Sequence, residues 1–316
     1  RWRAHAGALY TDSMAPPAAQ TTEYRAAKDT CALVDLSSRQ QLRVTGPDRV
    51  SFVQGMVTND VEKLAVGASC HVAMLTAKGS MVGDGRVVKL ADELLVDTGA
   101  GFGPTVRDFL NKYLISEECE VVDAPDVAVL GLLGPQAATW AASIPSEQLV
   151  VTMPGLLGTG LDVVVKRDGL AQVKAALSAL PTVSDETFEV LRVEAGVPKF
   201  GVDMTETTIP LEANLEKAIH YQKGCYIGQE VIARATYRGQ MNKKLVGLLL
   251  GEALAEKGAE VKLADKRVGR ITSVVRSELK QQNVALAYVH RDHLTAGTAM
   301  ELAPGVSVSV ATLPFV

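Results

Sequence analysis

The stretch that decides the fold is QLRVTGPDRVSFVQGM, residues 41–56, because its pattern occurs twice in the chain. It combines an alternating strand pattern, a Gly-Pro break and a short helix pattern. Residues 127–143, VAVLGLLGPQAATWAAS, show the same order around a second Gly-Pro pair. An internal repeat usually fixes the architecture of a protein, so we expect two related halves.

Each half continues with a strand pattern followed by an amphipathic helix pattern. The segments are DELLVDT and TVRDFLNKYL in the first half, and GLDVVVKRD and LAQVKAALSAL in the second. Together they predict an α+β fold with two ferredoxin-like units, about residues 41–125 and 126–182. Chance similarity between two strand-helix segments is the alternative.

The chain outside these halves has a different pattern at each end. Residues 1–40 contain an Ala/Pro-rich stretch at 15–19 and a helix pattern at 23–29, and we expect them to form an N-terminal surface arm. Residues 241–316 consist of short β-rich runs separated by Gly, Pro, Asn or Asp, which predicts an antiparallel barrel or a jelly-roll-like domain. The runs are KLVGLLL, RVGRITSVV, NVALAYV and VSVSVATL.

Length, charge and cysteine content narrow the function classes. With 316 residues, two or three domains are expected. The net charge is −4 and no basic tract stands out, which argues against strong nonspecific binding of nucleic acid and leaves room for a local basic patch. The four cysteines form no CxxC pair, so no zinc or other metal site and no disulfide framework is predicted. No apolar run approaches a membrane span, and we expect a cytoplasmic protein.

The most unusual motif is HYQKGCYIGQEVIARATYRG, residues 220–239. Cys225 follows Lys223 and precedes a helix pattern that begins near Gly228, and both features favour the thiolate of a cysteine. The alternative is a small buried apolar residue, which most free cysteines are. The local sequence does not decide between a reactive thiol and a packing residue.

Glu230, Arg234 and Arg238 follow at intervals of four and share one helix face. Such spacing usually means a solvated ladder of weak ion pairs. The functional alternative is a clamp for a carboxylate or phosphate, since guanidinium groups bind these anions with two hydrogen bonds. The ladder is the favoured interpretation from the residues alone.

Two carboxylates also attract attention. Asp84 lies in the glycine-rich strand pattern KGSMVGDGRVVKL, where backbone can approach a ligand closely, although a turn aspartate is the commoner case. Glu194 ends a helix predicted from Ser184 to Ala195, with Ser184 as its N-cap. Glu194 follows an apolar stripe, so it should be shielded and need a partner, either a protein group or the donor edge of a nitrogen heterocycle.

These residues carry a family resemblance that covers nearly the whole chain. Residues 33–64, 79–88 and 191–215 resemble the folate-binding superfamily that includes the glycine-cleavage aminomethyltransferase. KGCYIGQEVIAR resembles one branch of it, the YgfZ family of folate-dependent factors for iron–sulfur cluster assembly and repair. The resemblance implies three domains around a central opening that holds tetrahydrofolate or a one-carbon derivative. Residues 41–240 would form the folate-binding region, with the two halves followed by a Cys-motif segment at 184–240.

The resemblance also implies roles for individual residues. It gives Cys225, Lys223 and Asp84 the catalytic positions. Contacts to folate are implied for Asp84, Glu194, His71, Asn59 and Arg238, with Glu194 at the pterin and Arg238 at the tail. Three departures weaken aminomethyl transfer more than folate binding. Gly83 replaces the first acid of a paired motif, His71 replaces a tyrosine, and the segment equivalent to Asp-Phe-Ile-Gly reads CYIG, residues 225–228.

The resulting expectation is a folate-binding accessory protein for iron–sulfur clusters in client enzymes, including those that modify tRNA. Its expected partners are folate and iron–sulfur client or assembly proteins. The rival is a tetrahydrofolate-dependent aminomethyltransferase, and a scaffold that has lost folate is a third reading. The retention of both Asp84 and Glu194 argues against the third.

Overall fold

The structure is a computed structural model that describes the backbone of residues 18–238 and 241–315 and the side chains of 21–236 and 241–315. The Ala/Pro-rich stretch at 15–19 therefore lies largely outside the described residues. Within the described ranges, no helix has both the length and the apolar character needed to cross a bilayer.

The described chain has seven α-helices, three short 3-10 helices (Pro210–Ala213, Glu216–Ala218 and Arg291–His293) and fifteen strands. The helices are α1 (Ala18–Asp29), α2 (Arg49–Met56), α3 (Gly103–Tyr113), α4 (Ala137–Ala141), α5 (Leu170–Ala176), α6 (Asp185–Glu194) and α7 (Gln229–Arg238). The first nine strands are β1 (Ala32–Asp35), β2 (Gln40–Thr45), β3 (Ser69–Leu75), β4 (Met81–Lys89), β5 (Leu94–Thr98), β6 (Glu120–Asp123), β7 (Val127–Leu133), β8 (Leu149–Pro154) and β9 (Leu161–Lys166). The others are β10 (Lys243–Gly251), β11 (Glu260–Leu263), β12 (Lys266–Ser277), β13 (Gln282–His290), β14 (Ala299–Ala303) and β15 (Val306–Ala311).

The first half folds as the repeat predicts. Its antiparallel sheet has the order β3-β4-β5-β2-β6, in which β2, β4, β5 and β6 have ferredoxin-like connections through α2 and α3. Apolar residues of both helices, such as Phe52 and Val106, pack on one face of this sheet. The half therefore has its own core.

The second half has a similar sheet, but one of its strands comes from the N-terminal region of the chain. Its sheet has the order β1-β7-β9-β8, so β1 from the N-terminal region takes the place next to β7. Helix α1 also contributes to the core, since Tyr24 and Ala27 are buried among residues of both sheets and α6. The prediction of an N-terminal surface arm is thus wrong for α1 and β1, because their apolar side chains complete the fold.

The C-terminal strands close into a six-stranded antiparallel barrel with the order β10-β13-β12-β11-β14-β15. This confirms the barrel and excludes the jelly-roll alternative. Ala285, Ala287 and Val289 of β13 face the barrel core, whereas Leu286 and Tyr288 belong to a second cluster outside it. That second cluster joins the barrel to the first sheet and to α7, because it also contains Leu75 and Ile232.

Helix α6 has the predicted boundaries. The Ser184 side chain accepts a hydrogen bond from the Thr187 backbone N–H at 3.2 Å, and Glu23 of α1 accepts hydrogen bonds from Ser184 in turn. Gly196 follows the helix with φ +68°, a conformation that ends helices and favours glycine. The helix thereby carries Glu194 to the contact with the barrel strand β12.

Candidate functional site

The Asp84 side chain pairs with His71. Asp84 lies on β4 and His71 on the neighbouring strand β3. The residue directly opposite Asp84 is Ala73, and His71, two positions away from Ala73, projects from the same face of the sheet as Asp84. His71 Nε2 lies 2.9 Å from Asp84 Oδ2, and both side chains are partly exposed. Asp84 Oδ1 has no partner in the described part of the chain, so it can accept a hydrogen bond from a ligand.

Asn59 connects this pair to the Cys motif. Its side-chain amide donates to the His71 carbonyl at 2.9 Å and to the Lys217 carbonyl at 3.1 Å. The neighbouring Thr58 hydroxyl donates to the Ala218 carbonyl at 2.6 Å and accepts from the Ala73 backbone N–H. Asn59 and Thr58 therefore link the segment that leads to Cys225 to strand β3.

Lys223 anchors the motif to the end of helix α2. Its ammonium donates to the carbonyls of Gln54, Val57 and Asn59 at 2.5, 2.7 and 2.8 Å. The carbonyl groups at a helix C-terminus attract a cation through the negative end of the helix dipole. The three bonds also satisfy all three N–H donors of the Lys223 ammonium. Burial lowers the pKa of Lys223 to about 8, so the side chain is still mainly charged at neutral pH.

The position of the Lys223 ammonium corrects one sequence expectation. The charge was expected beside Cys225, where it would favour the thiolate. Instead the ammonium is committed to carbonyl groups, and the thiol whose pKa it lowers is that of Cys70, against a larger raising effect of burial. The role of Lys223 in the structure is to position the segment that carries Cys225.

Cys225 lies in an exposed position three residues before Gly228. The segment between them packs on the first half, since the Ile227 N–H donates to the Gly55 carbonyl at 3.2 Å. Gly228 has φ +83°, and a Cβ there would lie 2.7 Å from the Thr76 carbonyl oxygen. Helix α7 begins directly afterwards, at Gln229, close to the predicted start.

The other three cysteines are less accessible. Burial raises the pKa of Cys31 to about 11 and that of Cys70 to about 12. The pKa of Cys119 is raised by burial, by Glu117 and by Asp48. Of the four thiols, only that of Cys225 is exposed.

Glu194 lies apart from this network, against the barrel. It is 1% exposed and its carboxylate is fully used by protein groups. Oε2 accepts from the Tyr24 hydroxyl at 2.5 Å and lies 3.6 Å from the Lys28 ammonium. Oε1 accepts from the Ser277 hydroxyl at 2.7 Å and from the Leu279 N–H at 3.1 Å. The shielding predicted for Glu194 is confirmed, and its observed partners are protein donors.

The first ion pair of the predicted Glu-Arg ladder, between Glu230 and Arg234, is not formed. Glu230 and Arg234 are both exposed, and no ion pair joins these two residues. Arg238 is the last residue of α7, and its side chain lies outside the described residues, so its contact to a folate tail stays a prediction. In the described ranges no group of three His, Cys, Asp or Glu side chains could hold a metal ion.

Sequence reasoning missed Tyr24 and Thr58. The Tyr24 hydroxyl reaches Glu194 across 170 positions of sequence, and the Thr58 hydroxyl reaches Ala218, just before the Cys motif, across 160. Neither residue has a local pattern that indicates such a contact. The site therefore consists of one connected network, Asp84–His71–Asn59–Lys223 with the exposed Cys225, and a separate buried carboxylate at Glu194.

Comparison with known families matches both ends of the chain. Residues 8–150 match the GCVT N-terminal domain, and residues 243–316 match the glycine cleavage T-protein C-terminal barrel domain. Among solved structures, the glycine cleavage system aminomethyltransferase T from Bartonella henselae has a TM-score of 0.82 and 23% identity, over 94% of this chain and 89% of that chain. This likeness agrees with the observed fold.

Curated relatives have low identity over most of the chain. The aminomethyltransferase of Symbiobacterium thermophilum is 28% identical, over 89% of this chain and 84% of that protein. The aminomethyltransferase of Lysinibacillus sphaericus is 26% identical over the same shares. A putative chloroplastic transferase of Arabidopsis thaliana is 25% identical, over 90% of this chain and 71% of that protein.

Proposed function

We propose that this chain, which carries the two GCVT-family, aminomethyltransferase-like domains, binds tetrahydrofolate and acts as a YgfZ-type accessory protein. Its task would be the assembly or repair of iron–sulfur clusters in client enzymes, including enzymes that modify tRNA. The proposed partners are those clients or the proteins that assemble the clusters.

The observation that carries this proposal is the presentation of Cys225. The thiol is exposed, whereas the segment that bears it is held by Lys223 through three carbonyl groups and by the Ile227 N–H. An exposed thiol on a fixed segment can meet a protein-bound cluster or a client cysteine with little loss of conformational entropy. In the KGCYIGQE motif, Lys223 thus anchors the segment, and the second glycine, Gly228, permits the backbone conformation before α7.

Folate binding is supported by the Asp84 network. Asp84 Oδ1 is open to a ligand, and the His71–Asp84 pair can hold or move a proton at His71 Nε2. These groups fit a pterin or a folate nitrogen, whose N–H groups need an acceptor. Tetrahydrofolate, when bound, supplies the one-carbon carrier chemistry that the chain itself lacks.

At Glu194 the fit to a pterin is less direct. The carboxylate already has four protein neighbours, two of which come from α1. A pterin that used this carboxylate would have to displace Tyr24 or Lys28. The proposed folate site therefore depends mainly on Asp84, and the titration below tests whether Glu194 also contacts the pterin.

Calorimetric titration with tetrahydrofolate tests these two carboxylates. Asp84→Asn should weaken binding roughly ten- to hundredfold, because a charge-assisted hydrogen bond contributes about 1.5–3 kcal/mol. Glu194→Gln should do the same if Glu194 faces the pterin, and equal affinities would remove Glu194 from the site. Asp108→Asn is the control, since Asp108 is exposed on α3. An unchanged affinity in Asp84→Asn would overturn the proposed folate site.

The second candidate is a tetrahydrofolate-dependent aminomethyltransferase of the glycine-cleavage type. Its specific support is that curated relatives matching about nine-tenths of this chain are aminomethyltransferases. Against it stands Gly83, which occupies the position where the family motif has the first of two acids. Residue 83 therefore cannot supply a second carboxylate beside Asp84.

Cells without this protein distinguish the two candidates. Deletion should lower the activity of iron–sulfur enzymes and leave glycine cleavage unchanged if the chain is an accessory protein. The opposite pattern would establish the aminomethyltransferase and contradict the accessory role. Both assays are made on the same lysates, so that a general growth defect affects them equally.

A further inference from the structure

A cleft of about 550 Å³ lies between residues 201–208 and the outer face of barrel strands β10, β12 and β13. Small-molecule sites commonly have volumes of roughly 300–1,000 Å³, so the size suits a small ligand. None of the described candidate residues of the folate site lines this cleft. It is a separate feature of the molecule.

The barrel wall of the cleft is positively charged. Arg270 is directly opposite Tyr288 in the register of β12 and β13, and Lys243 is opposite His290 in that of β10 and β13. Opposite residues of antiparallel strands project to the same side, so these four share the outer face. Lys257 adds a further cation from the loop before β11. The side chains of Lys257 and Arg270 have no ion pair or hydrogen bond to any residue that the structure describes.

The nearby carboxylates offset this charge only in part. Asp203 lines the cleft, but it is buried, and its carboxylate accepts at 2.8 Å from the Arg192 guanidinium, which it shares with Glu189. Other carboxylates pair only weakly with cations of the wall. These pairs are Lys243–Glu212 at 3.8 Å, Arg267–Glu260 at 3.4 Å and His290–Asp292 at 3.3 Å.

Tyr288 provides a second, independent observation. This residue lines the cleft and is only 9% exposed, and its hydroxyl is buried with no hydrogen-bond partner in the described structure. The Thr208 hydroxyl is close enough to affect the pKa of Tyr288 but does not meet the geometry of a hydrogen bond. Burial raises this pKa, so the hydroxyl keeps its proton and can donate it. A buried donor without an acceptor is unfavourable, and a ligand acceptor would remove that cost.

We propose that this cleft binds a small organic polyanion, a molecule with two or more phosphate or carboxylate groups. Arg270 and Lys257 contact its anionic groups, and the Tyr288 hydroxyl donates to one of its oxygens. Guanidinium groups suit such ligands because they form two parallel hydrogen bonds to phosphate or carboxylate. The Lys243 ammonium, 4.9 Å from the centre of the Tyr288 ring, adds to the attraction.

Titration calorimetry on the full chain at low ionic strength tests the site, with pyrophosphate, tripolyphosphate and citrate as probes. We expect one saturable site, about tenfold weaker in Arg270→Ala and in Lys257→Ala, and several-fold weaker in Tyr288→Phe. Arg276→Ala is the matched control, because Arg276 lies on the same strand but pairs with Glu252 outside the cleft. Thermal unfolding of each variant checks that it is folded.

The probes also identify the type of ligand. Tighter binding of the two polyphosphates supports a phosphorylated ligand, and tighter binding of citrate supports a polycarboxylate. Absence of saturable binding for all three probes, or equal weakening in Arg276→Ala, would overturn the proposal. Binding that saturating tetrahydrofolate abolishes would also overturn it as a separate site, whereas unchanged binding supports it.

Discussion

At the scale of single residues, Lys223 determines how Cys225 is presented. Its ammonium reaches back to the end of α2 and satisfies three carbonyl groups of residues 54, 57 and 59. The sequence shows that Lys223 and Cys225 are neighbours, but the direction of a long side chain depends on the backbone of the loop. The motif alone therefore does not predict where the charge of Lys223 lies.

Lys223→Met tests this anchoring role. The substitution leaves buried carbonyl groups without donors, so we expect the free energy of unfolding to fall by about 1–3 kcal/mol. Amide hydrogen exchange at Ile227 should become faster, because its bond to the Gly55 carbonyl depends on the same docking. Lys217→Met is the control, since the Lys217 side chain is exposed. Unchanged exchange at Ile227 would contradict the anchoring role.

The accessibility of the thiols predicts an order of alkylation. Cys225 should react fastest with iodoacetamide at neutral pH, by roughly tenfold or more, because the other thiols are shielded and have raised pKa values. Peptide mass mapping after short reaction times gives the order. Labelling of Cys70 or Cys119 before Cys225 would be inconsistent with the structure.

At the scale of elements, helix α1 covers Glu194. The sequence predicted α6, its Ser184 N-cap and the shielding of Glu194, since each follows from a local pattern. It could not predict that the N-terminal helix supplies the partner, because the Tyr24–Glu194 contact spans 170 positions and depends on β1 joining the second sheet. The central opening implied by the family resemblance stays a prediction.

Tyr24→Phe tests the contribution of α1. Loss of the hydroxyl removes the 2.5 Å hydrogen bond to a buried carboxylate, so the free energy of unfolding should fall by about 1–3 kcal/mol. Urea unfolding gives the value. Tyr113→Phe is the control, because Tyr113 packs beside Phe109 on the outer helix α3. Equal stability of Tyr24→Phe and wild type would show that α1 does not hold Glu194.

At the scale of the whole molecule, a buried ion cluster joins the two halves. Arg86 of β4 donates to Asp97 of β5 and to Asp162 of β9, and Arg39 also donates to Asp97. Burial acts to raise the pKa of Asp97, but Arg39 and Arg86 lower it to about 2. The repeat was evident from sequence, whereas this cross-link was not, since no local pattern pairs charges between sheets.

The cluster predicts a dependence of stability on acid. The pKa of Asp97 is lower in the folded state than the usual value of about 3.9, so between pH 4 and 2 the unfolded chain binds more protons. Its contribution, about 2–3 kcal/mol, is present above about pH 4 and lost as the pH falls through about 2. Urea unfolding at several pH values should show this decline, reduced in Asp97→Asn and retained in the exposed control Asp108→Asn. If Asp97→Asn lost as much stability between pH 4 and 2 as the wild type, the decline would belong to other titratable groups.

The most direct test of the central claim is complementation of a strain that lacks this protein. The proposed function requires the Cys225 thiol, so Cys225→Ser should accumulate as folded protein but fail to restore the activity of iron–sulfur enzymes. Cys119→Ser, which removes a partly buried thiol, should restore it as wild type does. Full complementation by Cys225→Ser would contradict the account, because the motif would then contribute only packing between α2 and α7.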